Sequence, residues 1–149
     1  MAIETIREQA ARHKKLILEG VVLAIDPGST SFGWAIYKKG QLVAKGRWSE
    51  KGPIMLRLSM IFGKVSALSM DHGPDILAIE RIRSGGGYSP HQLLWSIGVT
   101  LAAAPVPMIE IPPKSWKVSA KELGLEKNDV NDAVSIGHRT IALAREEVA

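Results

Sequence analysis

From residue 21 onward the chain alternates short apolar runs with longer amphipathic stretches. Val21-Val22-Leu23-Ala24-Ile25 is an uninterrupted apolar run that ends at Asp26 and meets Pro27-Gly28. A short run without polar alternation predicts a buried central strand, here closed by a tight turn. Residues 32–37 and 42–48 predict two further strands, joined through Lys38-Lys39-Gly40 as a hairpin. Pro53 is suited to the first position of a helix. Ile54, Leu58, Ile61, Phe62, Val65 and Leu68 then recur at helical spacing, which puts Arg57 and Lys64 on the outer side.

The second half repeats the strand-then-helix order. Residues 75–80, Asp-Ile-Leu-Ala-Ile-Glu, form another apolar run with a carboxylate at its end. A loop over residues 81–88 holds three consecutive glycines, and Ser89-Pro90 offers an N-cap and a first helical residue. The helix predicted over residues 91–104 is apolar almost all round, so it requires cover on more than one side. The sheet supplies one side, and a second subunit is a natural candidate for the other. Residues 108–111 predict a last strand, and Asn128 or Asp129 begins a final helix reaching Arg145. The resulting order, βββαβαβα, is an α/β architecture: a mixed five-stranded sheet flanked by helices.

Residues 1–19 are helical in pattern but weakly amphipathic, with Arg12, Lys14 and Lys15 near the end. They read either as a solvated N-terminal extension or as a DNA-contacting arm, with the main domain starting at residue 20. A chain of 149 residues suits one domain with one core. Its net charge of +4 favours polyanionic partners without specifying one. Having no cysteine, it excludes disulfides, thiolate-bound zinc and thiol catalysis. Charges interrupt the first 19 positions, unlike a signal peptide, and the longest uncharged stretch, residues 92–109, contains Gly98, Pro105 and Pro107. The expectation is a cytoplasmic protein that does not enter a membrane.

The candidate chemistry lies in the acids. Two predicted strands end in Asp26 and Glu80, and ligands gather outside the carboxyl ends of strands in open α/β sheets. Asp129 and Asp132, three apart on a helix, share a face. Each has a plain structural reading: Asp26 as a turn residue, and the helix acids as favourable partners of the macrodipole. Their coincidence suggests a common site. Such a cluster repels itself unless protonated or neutralised, and an oxygen-only donor set suits hard cations, Mg²⁺ foremost with Mn²⁺ as substitute. Two ions about 3.5–4 Å apart can hold both the attacking and departing oxygens of a phosphodiester.

Residues 23–35, Leu-Ala-Ile-Asp-Pro-Gly-Ser-Thr-Ser-Phe-Gly-Trp-Ala, resemble the first motif of RuvC-type resolvases, in the RNase H-like superfamily. Residues 76–80 resemble the second motif. Asp129-Val130-Asn131-Asp132-Ala133 is similar to the family's C-terminal Asp-x-x-Asp-Ala, and Pro113-Lys114-Ser115-Trp116-Lys117 to its Pro-x-x-Val-Lys segment. The resemblance implies an RNase H-like fold and a homodimer, its interface the helix over residues 91–104. It further implies paired Mg²⁺-dependent nicks across a Holliday junction, with two ions per site. It makes Asp26, Glu80, Asp129 and Asp132 the metal ligands, and has Lys117 hold the scissile phosphate. Residues 117–129 are shorter than in bacterial RuvC and lack a helical segment with a further basic residue, a compactness that fits a phage or other mobile-element member. Arg83 stands where the bacterial proteins have an aromatic residue, and the nearest aromatic here is Tyr88.

Arg81, Arg83 and Tyr88 flank Gly85-Gly86-Gly87, either as a phosphate clamp with a base-stacking ring or as a plain surface connection. No Gly-Lys-Ser/Thr follows, so a nucleotide cofactor is not expected. Lys114 and Lys117 add a basic edge for DNA, with Trp116 as packing, and His138 reads as structural. The leading expectation is an endonuclease acting on branched DNA. Its alternatives are a fork, flap or RNA–DNA hybrid nuclease, or a non-catalytic junction binder. A kinase-like ATPase is disfavoured because it requires two such domains.

Overall fold

The computed structural model describes residues 4–28, 30–81 and 91–146. Among the described residues, five strands form one sheet: β1 (Val21–Asp26), β2 (Ser31–Lys38), β3 (Gln41–Ser49), β4 (Ile76–Glu80) and β5 (Met108–Ile111). Their order across the sheet is β3-β2-β1-β4-β5. The β1–β2 and β2–β3 pairs are antiparallel, whereas β1–β4 and β4–β5 are parallel. Both β1 and β4 are buried on both faces, which is why their sequences run apolar without alternation. The two-residue turn between β2 and β3 places Lys39 at φ 50° and Gly40 at φ 78°. Positive φ at both central positions matches the twist of the strands it joins.

Helices cover both faces. On one lie α1 (Ile6–Arg12), α2 (Lys14–Glu19), α5 (Pro113–Leu123) and α6 (Asp129–Arg145), around Val22, Ala24, Ala35, Tyr37, Ile76 and Ala78 of the strands. On the other, α3 (Ile54–His72) and α4 (His91–Ala103) bury Ile61, Val65 and Ala103 against Leu23, Ile25, Phe32, Ile36 and Leu77. Tyr37 fixes α6 to the sheet. Its hydroxyl donates to the Val134 carbonyl at 2.8 Å, and its ring fills the space where a side chain at Gly137 would stand.

Four local expectations are corrected. The N-terminal segment is no solvated extension: Ala10 and Ile17 are fully buried in the α6-side core. Its amphipathic signal is blurred because a break at His13 splits it into two short helices, the first secured by a Thr5–Glu8 capping box. Pro53 is the N-cap of α3 and Ile54 its first residue. Arg57 is buried and Phe62 exposed, the reverse of the predicted faces. Arg57 is accommodated because its guanidinium finds acceptors, Nε donating to the Gly52 carbonyl at 2.9 Å and Nη2 to Gln92 Oε1 at 3.2 Å. Finally, residues 113–123 form a helix the pattern did not suggest, opened by Pro113 and stopped at Gly124 with φ 65°.

The α4 helix also distributes its residues unexpectedly. Ser96 and Thr100 face inward, with Ser96 Oγ donating to the Gly28 carbonyl at 2.8 Å and Thr100 Oγ1 to the Ser96 carbonyl at 2.9 Å. Leu94 and Trp95 are 46% and 50% exposed. The Ser89-Pro90 start assigned to this helix lies outside the described residues. Among the described residues, no helix is long and apolar enough to cross a membrane.

Candidate active site

Alternation along the strands decides where the acids point. Val22 and Ala24 of β1, and Ile76 and Ala78 of β4, face α6. Two residues further along each strand are Asp26 and Glu80, which therefore face α6 as well. The parallel register pairs Val22 with Ile76 and Ala24 with Ala78, so its continuation sets Asp26 beside Glu80. The two acids end adjacent strands on one face, and their side chains are hydrogen bonded to each other.

The helix acids arrive through a glycine. Gly33 is the β2 partner of Asp26, and a Cβ there would run into the backbone carbonyl of Asp129. Its absence lets the first turn of α6 settle on the sheet at the level of Asp26. Asn128 caps that turn by accepting from the Asn131 amide at 2.8 Å. Asp132 is buried on the inner side of the helix. Asp129 sits nearer the edge, where its Oδ2 accepts from Ser31 Oγ at 2.7 Å and lies 3.7 Å from Arg47 Nε.

Crowding of these groups out of water shows in their protonation. Asp26 is pushed up from 3.8 to about 8, by burial first and then by repulsion from Glu80, Asp132 and Asp129. Near neutral pH a proton is thus held between the Asp26 and Glu80 carboxyls. Burial also raises Glu80 above its ordinary range, while the bond from Asp26 and the charges of Lys117 and Lys127 act in the opposite sense. Asp132 is raised by burial, opposed by Lys127, raised further by Asp129 and opposed by Lys117.

All four predicted acids are therefore in one electrostatic neighbourhood, with Lys117 beside them. Helix α5 holds Lys117 there because it is pinned to α6: His138 Nδ1 is 3.0 Å from Ser119 Oγ, and Arg139 Nε donates to Ser115 Oγ at 2.8 Å. The buried Trp116 lies beneath Lys117, whose Nζ is 5.9 Å from the ring centroid. Lys127 was missed by sequence reasoning; its position two residues before Asp129, in the approach to the helix, was the available signal. Lys114 is exposed on the first turn of α5. Arg81 is not with the acids. One residue past Glu80, alternation turns it to the opposite face, where Nε lies 3.5 Å from Glu110 Oε2. Arg83 and Tyr88 lie outside the described residues.

An all-oxygen set of desolvated, mutually repelling carboxylates fits a hard divalent cation, which would offset the burial and the repulsion that together keep Asp26 protonated. Among the described residues, no three acids or histidines already encircle a single point. Asp26 and Glu80 are engaged with each other, and Asp129 with Ser31 and Arg47.

No protein-family model matches the sequence, and a search among curated proteins finds no match. Solved structures do match. Thermus thermophilus RuvC in complex with a Holliday junction substrate is 24% identical, with a TM-score of 0.68 over 83% of this chain and 92% of that one. The same organism's RuvC in a second structure gives 22% identity and a TM-score of 0.66. The fold is that of RuvC. The yeast mitochondrial Holliday junction resolvase, 12% identical, superposes with a TM-score of 0.59 over 95% of this chain and 93% of its own. The RuvC fold thus spans most of the chain, and the mixed sheet and flanking helices expected of an RNase H-like protein are present.

Proposed function

We propose that the chain is a divalent-metal-dependent endonuclease that resolves four-way DNA junctions as a homodimer. The observation that carries this reading is the meeting of Asp26, Glu80, Asp129 and Asp132 at one sheet edge of a RuvC fold. These acids come from three distant segments, and burying them together is costly unless charge is to be neutralised there. They would hold two Mg²⁺ ions, with Mn²⁺ as substitute. When bound, such ions would supply activation of water and neutralisation of the charge that develops in phosphodiester cleavage.

The chain's own residues account for the rest of the chemistry. Asp26 and Glu80 must give up their shared proton to act as ligands. Lys117 and Lys127 offset the acids and give a scissile phosphate a positive rim to lie against. In the balanced reaction, water oxygen bonds to phosphorus and the bond to the 3′-oxygen breaks, leaving a 5′-phosphate and a 3′-hydroxyl. The exposed Leu94 and Trp95 on α4, with Met55, Leu56 and Phe62 on α3, support a partner copy on the face opposite α6. Two copies related by a twofold axis would present two equal sites to a pseudo-symmetric junction.

The test is a cleavage panel with purified protein and Mg²⁺ on a four-way junction, fork, flap, duplex and RNA–DNA hybrid. Paired nicks in the junction, lost with EDTA and in Asp26→Asn, are expected. Junction binding without cleavage in Mg²⁺ would replace this reading with a non-catalytic binder, and a preference for the hybrid would transfer it to an RNase H activity.

A further inference from the structure

Arg47 occupies a particular place on the rim of the carboxylate site. It lies on β3, an edge strand, in register with Gly33, the residue over which the first turn of α6 settles. Strand alternation therefore points its side chain to the α6 face, and Nε comes within 3.7 Å of Asp129 Oδ2. The same oxygen accepts the Ser31 hydroxyl at 2.7 Å. Asp129 is thus satisfied by the protein itself, from the two strands of the β2–β3 hairpin, while Asp132 one turn on faces the Asp26–Glu80 pair.

The contact is poised for exchange. Its side chains are 57% exposed for Arg47 and 34% for Asp129, and 3.7 Å is a loose ion pair rather than a charge-assisted hydrogen bond. Pairs of this kind are weak and readily give way to a competing charge. A guanidinium has five N–H donors and matches phosphate geometry. Lys45, two residues back on β3, is exposed on the same face, so the edge strand carries a short basic track leading to Asp129.

We propose that Arg47 is a substrate-responsive positioning residue: it pairs with Asp129 in the absence of DNA and moves to a strand phosphate when DNA binds. That exchange releases the Asp129 carboxylate to a divalent cation. The inference rests on the nuclease reading above and adds to it that DNA contact completes the metal site.

Two measurements on purified protein test it. In the first, Mn²⁺ is titrated calorimetrically into DNA-free wild type, Arg47→Ala, Arg47→Lys and Glu80→Gln. Arg47→Ala, which removes the competitor for Asp129, is expected to bind Mn²⁺ about two- to fivefold more tightly, with Arg47→Lys near wild type. In the second, junction binding is followed against salt in EDTA. Arg47→Ala is expected to reduce the slope of log affinity on log salt by about one, and Arg47→Lys to restore it. Unchanged or weaker Mn²⁺ binding by Arg47→Ala, or an unchanged salt slope, overturns the proposal while leaving the nuclease reading intact. Mn²⁺ binding in wild type that Glu80→Gln does not weaken overturns both.

Discussion

Replacing Asp26 with asparagine is expected to stabilise the metal-free protein while destroying its proposed activity. Asp26 has a folded-state value of about 8 against an ordinary 3.8, so its protonated form is favoured by folding. A raised carboxylate contributes stability that is fully present below its unfolded value and is lost as pH rises through its folded one. Between pH 4 and 8 the loss is about 1.4 kcal/mol per pH unit. At pH 7 most of the four-unit gap has been spent, which sets a ceiling of about 4 kcal/mol. An asparagine amide carries no charge and can donate to Glu80 as the protonated carboxyl does. Asp26→Asn should therefore be more stable than wild type in EDTA at pH 7 by about 2–4 kcal/mol, or roughly 5–15 °C in Tm for a chain of this size. At pH 5 the difference should shrink to about 1 kcal/mol. Thermal melts by circular dichroism between pH 5 and 8 measure it directly, and added Mg²⁺ should narrow the gap by stabilising wild type selectively. A difference that is flat with pH, or a variant less stable than wild type in EDTA at pH 7, would refute the account of a buried, mutually repelling cluster.

Three further outcomes are expected. Lys127→Met should remove a charge that favours ionised Glu80 and Asp132, lowering junction cleavage about tenfold or more at pH 7 with a smaller deficit at higher pH, as read from a pH–rate profile. Gly33→Ala places a methyl against the Asp129 carbonyl and should cost about 1–3 kcal/mol in urea denaturation, with Mn²⁺ affinity falling as the first turn of α6 lifts; wild-type stability would show that the turn does not rest on that glycine. Leu94→Glu together with Trp95→Glu should shift a dimer to monomer in sedimentation without lowering Tm in the monomer, since both side chains are half exposed within one chain.

How much of this was legible in the chain depended on whether local pattern or tertiary partnership decided the outcome. The bounds of β1, β5 and α6 follow directly from apolar runs, turn residues and caps. Asp26 and Glu80 could be placed at strand ends, and period-two alternation sufficed to put them on one face once β1 and β4 were neighbours. What escaped was non-local. The inward turn of Arg57 depends on a carbonyl at Gly52 and an amide on another helix. The polar residues Ser115, Ser119 and Lys121 hide α5 from a hydrophobic pattern, although it is held by hydrogen bonds to Arg139 and His138. The pairing of Arg81 with Glu110 requires knowing that β5 adjoins β4.

Local partners let the fold tolerate an acidic cluster at the carboxyl ends of β1 and β4. Asp129 and Asp132 occupy the first turn of α6, where the helix dipole favours negative charge, and Asn128 already satisfies one of that turn's amides. Asp129 has Ser31 and Arg47 besides. Asp132 has the charges of Lys127 and Lys117, and Glu80 has those two and the proton of Asp26. Among the described residues, the groups that shift Asp26 include no cation, only three other acids. Local departures from stability rules concentrate where function is carried. On that ground Asp26 is the position at which a bound cation would gain most, and the residue whose neutralisation should trade activity for stability most sharply.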